Sequence, residues 1–269
     1  MALYGIYGLP AWLLCLLILA LSVGGAVLGL LATRAPARRL FGRPPGQNDT
    51  VSAYMEAIGV LYGLTLGLIA VATWQHYTEV DKLVEQEAAA LRVLHANISW
   101  YPRAVRGELS QGLLDYATYV IEEEWPAQQQ GGLLGEGQER LLAFRRPLMA
   151  FDPTTEREKA LHGATLQSFD RYLELRADRV SQVGDSLPGL LWLVLIVGAV
   201  LTMAISYCFS MESMSGHVVL TVVLAGFLGL ILCLVATMDH PFHGEVAVRP
   251  DAFVLARERM QSYAGLVAD

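Results

Sequence analysis

The stretch "LVATMDHPFHGEV", residues 234–246, brings several side chains that can bind a metal ion into a short segment. They are Asp239, His240, His243 and Glu245. Zinc sites use such residues, and the pattern HExxH places two histidines on one face of a helix. Here Pro241 interrupts any helix between the two histidines, so they do not share a face. We therefore predict a turned helix end at the membrane interface, with Phe242 anchoring it and no metal site. The residues of this structural signature are Asp239, His240, Pro241, Phe242 and Gly244.

A second candidate site is the glycine spacing in "GVLYGLTLG", which holds Gly59, Gly63 and Gly67. Residues four apart stack on one helix face, and glycine lets another backbone approach closely. One interpretation is a structural face for helix packing. The other adds Glu56, which lies one turn earlier on the same face, and Tyr62, and treats this segment as the lining of an ion path.

Two further polar stretches flank predicted helices. In "QNDTVSAYME", Asn48, Asp49 or Thr50 is expected to cap the helix that follows, by accepting its free N–H groups. In "IEEEWP", three glutamates, residues 122–124, precede Trp125 and Pro126, and Pro126 is expected to stop the helix. A solvated acidic face, pairing with Arg145 and Arg146, or a bound cation would each fit these glutamates.

The elements that position these residues follow from hydropathy. Hydrophobic residues make up 54% of the 269 residues and charged residues only 17%. Four runs without a charged side chain cover residues 11–32, 57–74, 187–211 and 218–238. A bilayer core of ~30 Å needs about 20 helical residues, so each run can span it, the second with its flanks. We predict an all-α integral membrane protein with four transmembrane helices and a helical-bundle insert between the second and third.

The predicted segments are as follows. Residues 1–32 hold the first transmembrane helix, 33–52 a basic loop, 53–78 the second transmembrane helix and 79–186 the soluble acidic insert. Residues 187–211 and 218–239 hold the third and fourth transmembrane helices, and 240–269 form a C-terminal tail. Cys15, Cys208 and Cys233 all lie in apolar runs, where we expect them to be small buried hydrophobic residues.

The insert is predicted to be three or four helices. Its first helix continues the second span without a break, since neither glycine nor proline occurs between Trp74 and Ile98. Another helix is expected over residues 138–150, and "DPTTERE" offers a threonine cap for the last one. Acidic residues outnumber basic ones in the insert, and the whole chain has a net charge of −7, which argues against binding nucleic acid.

The side of the membrane on which the insert lies is predicted from the basic residues. Arg34, Arg38, Arg39 and Arg43 follow the first span. By the positive-inside rule this loop is cytoplasmic, which places the insert outside. Two groups of basic residues count against this orientation: Arg171, Arg176 and Arg179 just before the third span, and Arg257 and Arg259 in the C-terminal tail.

Sequence motifs of enzymes do not occur: GxSxG, HExxH, GxGxxG and GxxxxGK[ST] are all missing. We therefore predict neither catalytic residues nor a cofactor.

Several blocks resemble one protein family. They are "NDTVSAYMEAIGVLYGLTLGLIAVATWQHY", "EQEAAALRVL", "EEEWP", "SLPGLLW" and "MDHPFHGEVAVRPDAF", spread over residues 48–253. Together they are similar to the bestrophin-like family of bacterial membrane proteins, a domain of unknown function named for its remote similarity to bestrophins. Bestrophins are pentameric anion channels with the same order of two spans, helical domain and two spans. The resemblance implies a bacterial inner-membrane protein whose insert, as in bestrophins, is cytoplasmic. The phenylalanines noted in the bestrophin pore helix are missing from the second span, where Tyr54 and Tyr62 occur instead.

The function predicted from this resemblance is an oligomeric ion channel, for anions by analogy, with the second transmembrane helix lining the pore. Its partners would be the lipid bilayer, small ions and further copies of the chain, five in all by family analogy. The alternative is a non-conducting sensor or scaffold that acts through a partner protein.

Overall fold

A computed structural model describes residues 10–41 and 46–266, and every regular element within them is a helix. The elements are α1 (Ala11–Phe41), α2 (Gln47–Ile98), α3 (Arg103–Tyr119), a π-helical turn (Val120–Glu124), α4 (Trp125–Gln129), α5 (Glu136–Ala150), α6 (Glu156–Gln182), α7 (Gly189–Ser206), α8 (Met214–Met238) and α9 (Asp251–Leu266). This part of the chain contains no strand, so the all-α prediction is confirmed.

Four helices in the described residues are long and apolar enough to cross a bilayer: α1 as far as Pro36, α2, α7 and α8. The prediction of four transmembrane helices is thereby confirmed. The helix bounds differ from those expected, because α1 runs on to Phe41 and α2 begins at Gln47. Much of the expected basic loop, residues 33–52, is therefore helical. The side chains of Arg38, Arg39 and Arg43 and the N-terminal tail lie outside the described residues.

The chain divides into two compact units. The membrane unit comprises Met1–Tyr77, Ser186–His240 and Gly244–Val246, and the insert unit comprises Thr78–Asp185, Pro241–His243 and Ala247–Asp269. The C-terminal residues expected to form a tail thus belong to the insert unit. They form α9, which packs on α3 and the π-helical turn through Phe253, Ala256 and Met260, all buried at helical spacing.

The core of the membrane unit lies where α2 meets α7 and where α1 meets α8. Leu66, Leu195 and Val235 are among its most buried residues. Small residues allow the helices to approach: a Cβ added at Gly229 of α8 would lie 3.1 Å from Ser22 Oγ of α1. Such small-residue contacts favour helix association in membranes, where lipid competes for the apolar surface.

Two cysteines of the membrane unit are paired. Cys15 of α1 and Cys233 of α8 form a disulfide with their Cα atoms 5.2 Å apart, whereas Cys208 is free. This corrects the expectation that all three are only small buried hydrophobic residues. Spacing along the sequence did not indicate the pair, because 218 residues separate its members.

The helices of the insert unit follow the sequence signals with one exception. α2 runs unbroken to Ile98, as predicted. α6 begins with a capping box, in which Thr155 Oγ1 accepts from Glu158 N at 3.1 Å and the Glu158 carboxylate accepts from Thr155 N, so the threonine cap is confirmed. Pro126, however, does not end the preceding helix. The chain widens into the π-helical turn, and Pro126 then occupies the first turn of α4, where its missing N–H is not needed.

Candidate functional site

The membrane half of α2 has one face held within the chain. Tyr62, Leu66, Ile69 and Thr73 are buried at steps of three and four residues. The Tyr62 hydroxyl donates a 2.7 Å hydrogen bond to the Leu195 carbonyl oxygen of α7. This hydrogen bond places Tyr62 in a helix-packing role.

Beside the Tyr62 ring, α7 carries Gly198. A Cβ added to Gly198 would overlap that ring, so glycine is required there. The contact between α2 and α7 therefore combines a hydrogen bond with a close approach of backbone to aromatic ring.

A second stripe of α2 has no neighbour in the described part of the chain. A Cβ added at Gly59, Gly63 or Gly67 would meet no atom within 4 Å. Glu56 is exposed one turn before Gly59. The four-residue spacing places these positions along one stripe of the helix, beside the buried stripe that holds Tyr62 and Leu66. The structure thus brings Glu56 and the three glycines together on one open surface, which we call the open α2 face.

The first turn of α2 is attached to the segment between α7 and α8. The Asn48 amide donates to the Ser210 carbonyl at 3.0 Å and accepts from the Ser210 backbone N–H at 2.9 Å. Gln47 Nε2 donates to the Cys208 carbonyl at 3.0 Å. Because α2 begins at Gln47, Asn48 lies inside the helix and does not cap it, contrary to our expectation. Asp49 lies in the first turn, where its carboxylate suits the positive end of the helix dipole.

Asp239, directly after α8, ties the end of α8 to the start of α7. Its carboxylate accepts a 2.6 Å hydrogen bond from Leu187 N and a 3.0 Å hydrogen bond from the Trp192 indole N–H. The Asp239 side chain is almost fully buried, and His240 Nε2 lies 3.9 Å from its second oxygen. The described residues contain no group of three or more histidines, cysteines or acidic residues placed to hold a metal ion.

Phe242 differs from its predicted role. It is fully buried in the insert unit, edge-on to Trp125 with ring centroids 5.7 Å apart, and so does not anchor a membrane interface. Pro241 accepts a 2.8 Å hydrogen bond from Val248 N, which closes the turn. Gly244 has φ 85°, a conformation that other residues rarely adopt.

The insert unit contains a buried cluster of charges that sequence reasoning missed. Arg179 of α6 is fully buried. Its Nε donates to one oxygen of Glu87 at 2.5 Å, and one terminal nitrogen donates to Glu124 at 2.9 Å. Its other terminal nitrogen donates to Gln128 Oε1 at 2.6 Å. The guanidinium also lies over the Trp125 ring at 5.2 Å.

Arg176, one turn earlier on α6, completes the buried charge cluster. It donates to the second oxygen of Glu124 at 3.2 Å and to the Tyr116 hydroxyl at 2.8 Å. A Cβ at Gly137 would overlap both Glu124 and Arg176, so a residue without a side chain is needed there. Two arginines thus lie against two glutamates in the core of the insert unit.

Arg179 stays charged, whereas burial raises the pKa of the Glu87 carboxyl even beside this arginine. Burial by itself lowers the pKa of Arg179, but the charges of Glu87 and Glu124 outweigh it, and the net pKa is raised. Desolvation raises the pKa of the Tyr116 hydroxyl, which therefore stays neutral. A buried ion cluster of this kind adds less to stability than its geometry suggests, but removing one member leaves an uncompensated charge.

Our interpretations of the glutamates in "IEEEWP" were wrong in part. Glu124 is buried and pairs with Arg176 and Arg179, not with Arg145 or Arg146. Glu122 and Glu123 pair at the surface with Arg257 and Arg140. One signal could have found the buried arginines: Phe169, Tyr172, Arg176 and Arg179 follow each other at steps of three and four, the spacing of one helix face.

These observations define a class: an all-helical membrane protein with four spans, a helical unit inserted between the second and third, and an open α2 face. The family model described as the Bestrophin-like domain matches residues 19–253. The chain belongs to this family. No curated protein matches it in sequence.

Solved structures with the same fold include bacterial bestrophin homologues from Klebsiella pneumoniae. One variant of that homologue is 12% identical, with a TM-score of 0.68, over 93% of this chain and 99% of the other. Another structure of it is 12% identical, with a TM-score of 0.67, over 93% and 98%. At this identity the likeness shows the fold alone.

Proposed function

We propose that the chain is one subunit of a homo-oligomeric ion channel in the bacterial inner membrane, with the open α2 face lining the pore. The observation that carries this proposal is the two-sidedness of α2. Tyr62 and Leu66 bind it to its own subunit, whereas Gly59, Gly63 and Gly67 face no described atom of the chain.

In a ring of subunits, the open α2 face would line the central space. Four spans in one subunit enclose too little space for a pore, and most oligomers close into rings. Glycines at 59, 63 and 67 would expose helix backbone to the lumen or let neighbouring α2 helices approach. The resemblance to bestrophins favours a ring of five.

Two arguments about the charge of the ion that the channel would carry lead to opposite expectations. The bestrophin similarity favours anions. A ring of Glu56 carboxylates at one mouth would favour cations, as acidic rings do in cation channels. Chloride and potassium must therefore be tested separately.

The test is ion flux from liposomes that contain the purified protein. We expect selective flux, changed in selectivity by Glu56→Gln and abolished by Gly63→Leu. Gly226→Leu on α8 is the matched control, since a Cβ there also meets no atom within 4 Å. Size-exclusion chromatography in detergent checks that each variant still assembles.

Flux that is unaltered in well-assembled Glu56→Gln and Gly63→Leu proteins would disprove the pore lining. If the intact oligomer carries neither chloride nor potassium, the result contradicts the channel proposal and favours the sensor or scaffold.

A further inference from the structure

We infer that Cys15 and Cys233 are an oxidised pair in the cell, and that the end of the membrane unit from which the insert departs faces an oxidising compartment. This inference does not depend on ion conduction. It rests on the register of α1 against α8 and on the contacts at that end of the membrane unit.

The register of the two helices brings the thiols together. α1 and α8 are antiparallel, and Gly229 of α8 lies against Leu19 and Ser22 of α1. Moving one turn along α8 from Gly229 reaches Cys233, and moving one turn back along α1 from Leu19 reaches Cys15. The Cα separation of 5.2 Å is within the range of disulfides.

The pair lies near the end of the spans from which the insert departs. Asp239, which follows α8, binds Leu187 N just after the insert returns to the membrane unit. At the start of α1, the Ala11 N–H donates to Glu245 at 3.0 Å. Cys15 is one turn from Ala11, about 6 Å along the helix axis, so an oxidant on that side can reach it. Cys208 lies beyond the opposite end of α7.

Charge supports the same orientation. Arg171, Arg176 and Arg179 argued for a cytoplasmic insert, but the insert is longer than about 60 residues, and the positive-inside rule gives the charges of long inserts little weight. Arg34 lies at the opposite end, in contact with Met214 at the start of α8. The positive-inside rule then assigns that opposite end to the cytoplasm.

The chemistry is thiol–disulfide exchange with an oxidised dithiol protein of the extracytoplasmic side. One cysteine thiolate attacks the disulfide of the oxidant and forms a mixed disulfide. The second cysteine thiolate then attacks this mixed disulfide, which closes the Cys15–Cys233 bond and releases the oxidant, whose two thiolates take up the two protons that the cysteines lost and become a dithiol. In a reducing cytosol such a pair would remain as thiols.

The first test counts free thiols in cells quenched with acid before lysis, which prevents oxidation by air. A polymer-linked maleimide adds mass for each thiol in the denatured protein. We expect one modified cysteine without reductant and three after reduction. Cys15→Ser should expose two thiols without reductant, and Cys208→Ser should expose none. Three free thiols in the unreduced wild type would overturn the inference.

The second test locates the two ends in a Gram-negative host. In a cysteine-free background, Glu136→Cys probes the insert, and Glu212→Cys probes the segment between α7 and α8; both positions are exposed. A membrane-impermeant maleimide should label the first in intact spheroplasts and the second only after lysis. The reverse pattern would overturn the orientation.

Discussion

Every nitrogen of the Arg179 side chain donates a hydrogen bond, and all the acceptors are buried. Arg179→Met would leave the Glu87 and Glu124 carboxylates in the core with too little positive charge. Breaking a buried pair in this way costs about 3–5 kcal/mol. We therefore expect the thermal unfolding midpoint of the detergent-solubilised protein to fall strongly.

Arg171→Met provides the control for that change. Arg171 lies on the same helix and pairs with Glu174 at 3.1 Å, but both side chains are more than half exposed. Exposed pairs contribute about 1 kcal/mol or less. Equal effects of the two substitutions would contradict a stabilising role for the buried charge cluster.

His95 makes the insert unit sensitive to acid. It is buried on α2, with Nε2 2.8 Å from Ser110 Oγ, and desolvation lowers its pKa below the ordinary value. The folded state therefore favours neutral His95, so this stability is present above about pH 6.5 and is lost as the pH falls.

The change that tests this sensitivity is His95→Gln, which keeps a polar side chain but does not titrate. Between about pH 7.5 and about pH 5.5 the unfolding midpoint should fall more in the wild type than in the variant. Parallel pH profiles for the two proteins would show that His95 is not the source of the acid sensitivity.

At the scale of elements, the contact between α2 and α7 depends on Gly198. In Gly198→Ala the new methyl group would overlap the Tyr62 ring and displace the Tyr62 hydroxyl from Leu195. Overpacking of this kind costs about 1–3 kcal/mol. Gly226→Ala, where the added Cβ meets no atom within 4 Å, should leave the unfolding midpoint unchanged.

A second substitution checks the cause. Combining Gly198→Ala with Tyr62→Leu removes the ring, so it should recover part of the stability lost in the single Gly198→Ala protein. If the destabilisation of the double variant equals the sum of the losses in the two single variants, the Tyr62 ring is not what the new methyl group contacts.

At the scale of the whole molecule, the C-terminal residues are part of the insert unit. Phe253, Ala256 and Met260 of α9 are buried, and the Phe253 ring lies 5.9 Å from Trp125. A chain ending at Arg249 would uncover Trp125 and the π-helical turn. We expect much faster proteolysis within the insert, and no such change for a chain ending at Ser262. Equal digestion of the two truncated proteins would refute this role of α9.

The sequence predicted the parts of this fold that depend on local patterns. Uncharged apolar runs identified four spans, and the lack of glycine or proline after Trp74 predicted the unbroken α2. It failed where distant residues meet. Glu124 and Arg179 are residue types that usually face solvent, and only the folded insert shows that they neutralise each other. The open α2 face was predicted as a glycine spacing, and its role stays a prediction.

The π-helical turn at Val120–Glu124 has a consequence for comparing relatives of this chain. Such a turn holds one residue more than the α-helix it interrupts. Removing one residue from it would rotate everything beyond it by about 100°, which would turn Glu124 or Trp125 out of the core. Family members that lack the turn should show a one-residue gap here, together with changes at the positions of Arg176 and Arg179. The presence of this gap in a relative would then indicate that the relative lacks the buried charge cluster.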